Sequence, residues 1–404
     1  MPYLYRMLLL TDADKAFILT HAEADTVHLL LHPPGHLPPA HLAELVRQIQ
    51  ARQKARLKLP RWYANPNLIF PSPLSVEQAS SELAATYKAS LVSGHSLADL
   101  TGGMGVDSAA FANRVGQVTY LEHDTELARR TALNLPQLGH TNITVVAHDG
   151  LTWLKNQPAP LDWLYLDPAR RNGQGRRVVG LAECEPNVLT HLPLLLANAG
   201  QVLLKTAPLL DINLTLRQLT TAHSVQVVAV QGDVKELLFV LGRTPVPIQD
   251  VQITAINLFT ATRQEQLTYL AGEETAAPVR LANPQTYLYE PNAAVLKAGA
   301  FRLVGHRFGL AKLAPHSHLY TSDELVTNFP GRVFGVEAVC RADRNALRQH
   351  VPDGQANLTV RNFPESVATL RQKLGLREGG NRFIFATTLQ NRDKRLLITY
   401  KAVL

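Results

Sequence analysis

Residues 97–107 read Leu97-Ala98-Asp99-Leu100-Thr101-Gly102-Gly103-Met104-Gly105-Val106-Asp107, and the rest of the chain organises itself around them. An apolar run delivers an acid, three glycines follow at 102, 103 and 105, and a helical pattern begins near Ser108. That order is a strand, a tight turn and a helix. Open parallel α/β sheets bind nucleotides at such a place, in the crevice beyond the carboxyl ends of their strands. The dinucleotide fingerprint also requires a third, later glycine, where this chain has Ser108.

Downstream, apolar strands are predicted near 118–122, 144–147, 163–166 and 202–205, after the first at 96–100. Helices are predicted between them near 108–115, 125–135, 188–198 and 211–222. The alternation predicts an α/β doubly wound sheet with helices on both faces. Two further runs, 225–230 and 237–241, joined by Gln231-Gly232-Asp233, read as a hairpin closing the sheet edge. The first four strands each end in an acid: Asp99, Glu122, Asp149 and Asp167. Carboxylates gathered in one crevice repel one another unless a ligand with donors occupies the space. Glu122, followed by His123, can accept from both ribose hydroxyls of an adenosine, and Asp149, followed by Gly150, from an adenine amino group.

On either side the pattern differs. Residues 1–92 read as helical, with Leu42, Leu45, Val46 and Ile49 at helical spacing in the segment 39–59. Ser75 and Gln78 have capping-box spacing for a helix reaching about Leu91. The nucleotide-binding core spans 93–245. A less regular connecting region follows at 246–324, with a strand in VQITAINLF and a helix near 292–303. Residues 325–404 read as a small α+β domain.

The constellation resembles class I S-adenosylmethionine-dependent methyltransferases, with a Rossmann-like sheet carrying an antiparallel edge strand. Their first motif, acid-x-x-x-Gly-x-Gly, is matched by Asp99, Gly103 and Gly105. Asp167-Pro168-Ala169-Arg170 resembles their fourth, in which nucleic-acid methyltransferases carry Asp or Asn, two prolines, then an aromatic residue or Arg. Here Ala169 replaces the second proline, and no aromatic residue follows to stack a flipped base. The whole chain is similar to a bacterial family joining this core to a THUMP-like C-terminal domain. The carriers are QASSELAATYKA (78–89), DLTGGMGVDSAAFA (99–112), LDPARR (166–171), LKTAPLLD (204–211), YEPNAAVLKAGAF (289–301), SHLYTSDE (317–324) and the final FPGRVF and NRFIFATT.

The resemblance implies S-adenosylmethionine as cofactor, with Asp99 at its methionine end, Glu122 at the ribose and Asp149 at the adenine. Thr101, Gly102, Gly103, Gly105, His123 and Gly150 complete the expected contacts. It also implies RNA as a partner, because THUMP domains bind RNA in RNA-modifying enzymes. Methylating a base nitrogen requires an acceptor that orients the N–H and helps remove its proton. Asp167 is the candidate, with the carbonyl of Pro168 as a second acceptor and Arg170 and Arg171 on an adjacent phosphate. Arg176 and Arg177 extend that contact. Lys205, ending the fifth strand, reads equally as part of this site or as an ion-pair partner of one of the strand-end acids.

The expected activity is methylation of a base nitrogen in tRNA or rRNA. The alternatives are a small-molecule or protein acceptor, and an inactive RNA-binding module; a nicotinamide-dependent dehydrogenase leaves Asp167-Pro168 unexplained. Pyrimidine C5 methylation needs a cysteine nucleophile. Cys184, between Glu183 and Glu185, reads as structural, because flanking carboxylates disfavour its thiolate. Two cysteines exclude a disulfide scaffold, and His316 with His318 lacks a third ligand, so no metal is expected. The apolar run at 7–10 is too short for a signal-peptide core, and no stretch of ~20 apolar residues occurs. The expectation is a cytoplasmic protein.

The chain is basic, with 40 Lys and Arg against 33 Asp and Glu in 404 residues. Residues 1–330 hold 27 of each, whereas residues 331–404 hold 13 against 6, the whole net charge of +7. A second cluster, Arg47, Arg52, Lys54, Arg56, Lys58 and Arg61, lies on the N-terminal helices. Together the two basic flanks read as a grip on a polyanion.

Overall fold

The computed structural model describes residues 10–35, 37–170 and 180–402. Among these, six helices precede the first strand. α1 (Asp12–Thr20) and α2 (Thr26–Leu31) start on side-chain caps, Thr11 and Asp25. α3 (Pro39–Lys58) has proline at its first turn, where no backbone bond is lost. It buries the predicted Leu42, Leu45, Val46 and Ile49 with Ile18 and Leu29. After α4 (Pro60–Ala64), the predicted helix from Ser75 to about Leu91 is two helices. α5 (Pro73–Gln78) is capped by Ser72, and α6 (Glu82–Ala89) by Ser81. Pro73 fixes the first start and the Ser81 hydroxyl the second, so the Ser75–Gln78 spacing caps nothing.

The extended stretch 65–70 has its backbone satisfied by side chains. Gln48 accepts from the Phe70 N–H (2.9 Å) and donates to its carbonyl (2.8 Å). Asn134 does the same for Ile69, at 2.8 Å each. Arg52 donates to the carbonyls of Tyr63, Asn65, Pro66 and Leu68, and its burial pushes its pKa down to about 10.

The alternating elements follow as β1 (Gly94–Asp99), α7 (Val106–Phe111), β2 (Val115–Leu121), α8 (Thr125–Gln137), β3 (Ile143–Val146), α9 (Gly150–Lys155) and β4 (Leu161–Leu166). Then come the short ribbon β5 (Ala169–Arg170) and β6 (Cys184–Glu185), α10 (Val188–Ala197), β7 (Ala199–Thr206), α11 (Ile212–Gln218), β8 (Ala222–Val230) and β9 (Asp233–Leu241). Strands β3-β2-β1-β4-β7 pair in parallel in that order. The order reverses between β1 and β4, which opens a crevice at their carboxyl ends. Covered on both faces, the central strands are continuously apolar, as in 163–166 and 202–204, all buried.

The chain forms two compact units, Met1–His223 with Leu238–Pro245, and Ser224–Leu237 with Val246–Leu404. In the first, Trp62, Leu68 and Phe70 share a core with Met104, Val106, Ala109 and Leu135. The N-terminal helices are thus packed directly behind the Gly-rich turn.

In the second unit β8 pairs in parallel with β10 (Gln252–Leu258), which pairs antiparallel with β11 (Gln264–Leu270). The hairpin turn is where it was expected, with Gln231 and Gly232 at φ 55° and 84°. It does not close a sheet edge, because the apolar β10 takes the outer side of β8. After α12 (Ala271–Ala276), a second sheet is ordered β13-β14-β12-β15-β18-β17-β16. Its strands are β12 (Tyr287–Pro291), β13 (Ala311–Lys312), β14 (Tyr320–Ser322), β15 (Gly331–Arg341), β16 (Asn357–Val360), β17 (Arg382–Thr388) and β18 (Lys394–Lys401). The helix predicted over 292–303 ends at Gly299, in the left-handed region at φ 78°. It divides into α13 (Ala293–Ala298) and α14 (Leu303–Arg307). α15 (Arg344–Arg348) and α16 (Val367–Leu374) bury Leu347, Leu370 and Leu374 against Ile384, Leu396 and Ile398 of the sheet.

Candidate active site

Three of the four glycines assigned to the site are required by packing. A Cβ on Gly102 would lie 2.2 Å from the Tyr120 ring. One on Gly105, at φ 85°, would lie 2.7 Å from Thr131 Cγ2, and one on Gly150 2.5 Å from the Leu100 carbonyl oxygen. Gly103 differs: at φ 56° its nearest neighbour would be 3.8 Å away. Its N–H donates to Glu122 Oε2 (2.8 Å), and its carbonyl accepts from the Tyr120 hydroxyl (2.6 Å). The open side of the turn is therefore at Gly103.

The four acids stand in different surroundings. Asp99 is 1% exposed; its carboxylate accepts from the Ser108 hydroxyl (2.6 Å) and the Thr101 N–H (3.1 Å). Burial, with the charges of Asp107 and Asp167 adding to it, pushes its pKa up to about 7. Glu122 is buried and accepts from Gly103 and, at 2.9 Å, from the Asp124 N–H. The exposed His123 ring places Nδ1 3.0 Å from Glu122 Oε1. Asp149 lies beyond the end of β3 as the exposed N-cap of α9, accepting from the Thr152 N–H at 2.7 Å. Asp167 directly follows β4. Its N–H donates to Thr101 Oγ1 (2.7 Å), which ties the Gly-rich turn to the Asp-Pro motif. Lys205 Nζ pairs with its Oδ2, so the ion-pair alternative for Lys205 is the one realised. The Asp167 side chain stays 36% exposed, and no hydrogen bond from a described residue reaches Oδ1.

Behind these acids is a network that sequence reasoning missed. Lys88 is fully buried and pairs with Asp107 Oδ1 at 3.0 Å. Asp107 Oδ2 accepts from the hydroxyls of Tyr165 (2.7 Å) and Ser80 (2.9 Å), and Lys88 also donates to Ser80 (2.5 Å). Burial pushes the Asp107 carboxyl up, but the Lys88 and Lys205 charges and the Tyr165 bond hold it below its ordinary value. The one signal available was Lys88 on the face of α6 that also carries Ala84, Ala85 and Ala89.

Four acids, Asp99, Asp107, Glu122 and Asp167, thus face two lysines, Lys88 and Lys205. A ligand bearing positive charge would complement that excess of carboxyl groups. Ribose hydroxyls suit the lone pairs that Glu122 has left, and Gly103 leaves room for the ligand to pass. The donor and acceptor set fits S-adenosylmethionine, a cation carrying both.

The remaining candidates separate clearly. Pro168 is buried beside Asp167. Arg170 is in β5, paired with Cys184, but its side chain and Arg171, Arg176 and Arg177 lie outside the described residues. Cys184 is buried, with its thiol 3.8 Å from the Gly180 carbonyl. His318 stacks on Phe301 at 3.8 Å, and no group of three His, Cys, Asp or Glu able to hold a metal occurs among the described residues. The N-terminal basic cluster is largely neutralised, contrary to the two-flank expectation. Arg47 pairs with Glu44, Lys54 with Glu77 and Arg56 with Glu23; Arg52 is buried, and Lys58 donates to the Val76 and Glu77 carbonyls. A shallow cleft of about 460 Å³ in the second unit, lined by Gln266, Thr268, Arg307 and Phe308 among others, gathers no comparable set of acids.

Residues 287–330 match a ferredoxin-like domain family and residues 331–401 a THUMP domain-like family. The crystal structure of a Porphyromonas gingivalis W83 protein designated a methyltransferase has 33% sequence identity to this chain. It superposes with a TM-score of 0.88 over 99% of both chains. Uncharacterised S-adenosylmethionine-dependent methyltransferases of two Mycobacterium tuberculosis strains, CDC 1551 and H37Rv, are 26% identical over 308 residues. That span is 75% of this chain and 80% of theirs. No helix among the described residues is long and apolar enough to cross a membrane. With the strand-end acids, the Gly-rich turn and the C-terminal match in place, the chain belongs to the S-adenosylmethionine-dependent methyltransferases that carry a THUMP-like C-terminal domain.

Proposed function

We propose that the enzyme methylates a base nitrogen in tRNA or rRNA. The observation that carries this is Asp167: a partly exposed carboxylate just after β4, held on one oxygen by Lys205 and followed by Pro168. The THUMP-like match and the excess of 13 Lys and Arg over 6 Asp and Glu in residues 331–404 support RNA as the carrier of the base. In this reading residues 1–92 back the cofactor domain, 93–245 hold the cofactor, 246–324 connect, and 325–404 grip RNA.

Glu122 would hold the ribose hydroxyls, with His123 beside it, and Asp149 the adenine amino group. Gly103 gives the open face, while Thr101, Gly102, Gly105 and Gly150 keep the turn in shape around it. Asp99 lies toward the methionine end. When bound, S-adenosylmethionine supplies a methyl group on a sulfonium, open to in-line displacement. Asp167 Oδ1 accepts the N–H of the target base, aims the nitrogen lone pair and takes the proton as the N–C bond forms. The Pro168 carbonyl accepts a second N–H where the base has one. Lys205 holds the carboxylate, while the Thr101 hydroxyl, accepting from the Asp167 N–H, fixes the backbone that carries it. A base within a helix must flip out to reach it.

The test uses radiolabelled S-adenosylmethionine with RNA from cells lacking the enzyme. Label should enter RNA, and Asp167→Ala should reduce transfer by about 10²–10⁴-fold. The same variant should bind the cofactor within about threefold of wild type by calorimetry. Label entering a ribonuclease-treated metabolite extract instead of RNA would contradict the proposal.

A further inference from the structure

The motif Tyr289-Glu290-Pro291-Asn292 has no role in the chemistry above, and within it Glu290 is unusual. Tyr289 is committed internally: its hydroxyl donates to the Glu324 carbonyl and accepts from the Val326 N–H. Asn292 caps α13. Glu290, in contrast, has a side chain only 5% exposed but partners that reach the surface. Arg332, directly across the ladder on β15, donates through Nε (2.8 Å) and Nη2 to Glu290 Oε2. Arg361, just beyond β16, places Nη2 2.8 Å from Oε1 and donates Nη1 to the Val360 carbonyl. Arg332 also lies over the Phe334 ring, 5.4 Å from its centroid.

One guanidinium would neutralise one buried carboxylate. Here two are held on it, and their side chains remain 49% and 40% exposed. Each guanidinium has five N–H donors, so both keep donors pointing away from Glu290. The surroundings add positive charge. Burial, with Lys312, Arg361 and His316 close by, pushes His318 down to about 4. Two guanidiniums ordered on the two oxygens of one carboxylate, each with donors left over, offer the kind of forked donor that binds a phosphodiester.

We infer that Arg332 and Arg361, oriented by Glu290, form a phosphate clamp for the backbone of the RNA substrate. The clamp rests on the RNA reading above and gives it a second, non-catalytic contact point in the THUMP-like unit. Glu290 is the positioning residue and the arginines make the contact.

The experiment measures binding of the full-length protein to bulk bacterial tRNA across 50–300 mM salt by fluorescence anisotropy. The triple variant Glu290→Gln/Arg332→Gln/Arg361→Gln removes the buried charge with its partners, so folding should survive, checked by thermal melting. Its affinity at 100 mM salt should fall about tenfold, and its slope of log K against log salt should shrink by roughly 1.5. Should the triple variant melt early, Arg332→Lys/Arg361→Lys is read in its place; it should bind more weakly with the wild-type slope. Glu290→Gln alone adds a positive charge, so general attraction predicts tighter binding, whereas the clamp predicts two- to fivefold weaker binding. Arg371→Gln/Lys373→Gln, which removes as many cations from α16 and lowers the net charge further, should cost at most threefold.

Tighter binding by Glu290→Gln, or triple and lysine variants within twofold of wild type, would overturn the clamp while leaving the RNA reading intact. Wild-type protein that binds neither tRNA nor rRNA would overturn both. Polyglutamate competing as well as tRNA at equal charge would assign the surface to an acidic protein instead.

Discussion

Asp99, Asp107 and Asp167 lie close enough for their charges to interact, and Lys88 and Lys205 balance only part of that charge. Asp99, with its pKa near 7, therefore titrates in the working range. A cation in the crevice favours its charged form, so affinity for S-adenosylmethionine should rise as pH increases from about 6 to 8. Calorimetry over that range should find the dependence in wild type and a flatter one in Asp99→Asn. Without ligand the sign for stability is opposite. Between 3.8 and about 7 the folded state retains a proton the unfolded state has lost, so Asp99's contribution erodes as pH rises through that window. Lys88→Met should destabilise by about 3–5 kcal/mol in urea, because it leaves Asp107 charged and buried. Lys88→Met/Asp107→Leu should recover much of that; equal loss in both variants would place the effect in packing. Asp99, Glu122, Asp149 and Asp167 were legible as acids at strand ends, a one-dimensional signal. Ser80, Lys88 and Tyr165 were not, because what unites them is a contact with Asp107 across 27, 19 and 58 positions.

The Gly-rich turn shows how far local pattern goes at the scale of an element. Its strand–turn–helix order was readable, but the duty of each glycine was not, since Tyr120 and Thr131 come from β2 and α8. Gly105→Ala should therefore cost stability, about 1–3 kcal/mol from positive φ and the Thr131 contact. Gly103→Ala has no such contact and should cost about 1–2 kcal/mol from backbone strain alone. Its larger effect should be on cofactor affinity, because its Cβ enters the open side of the turn. Urea denaturation and calorimetry on the two variants check the division; equal cofactor loss would contradict it. The helix starts show the same limit. Asp343 and Ser366 cap α15 and α16 through their side chains. Ser75 with Gln78 carried the capping spacing, yet Pro73 and Ser72 set the start one turn earlier. Two short helices separated by 79–81 resemble one long one in apolar spacing. The hairpin β8–β9 was read correctly from Gln231-Gly232, but its place inside a sheet depended on β10, a strand that begins 22 positions after β8 ends.

For the whole molecule, net charge is no guide where ion pairs cancel it. The basic cluster of α3 pairs with Glu44 on the same helix and with Glu23 and Glu77, which sequence distance hid. In residues 331–404 the acids are too few to do the same. Arg341→Gln/Arg344→Gln, two exposed positions, should therefore lower tRNA affinity and its salt slope more than Arg47→Gln/Lys54→Gln. Anisotropy titrations at two salt concentrations compare them, and the reverse order would contradict this assignment of the basic surface. The central claim is that Asp167 directs methyl transfer to a base nitrogen of RNA. Its most direct test is mass spectrometry of nucleosides from total RNA of cells with the wild-type protein, without it, and with Asp167→Ala. The account predicts one N-methylated nucleoside present with wild type and missing from both other strains. Identical nucleoside profiles in all three, or a lost methyl that sits on carbon or ribose oxygen, would contradict it.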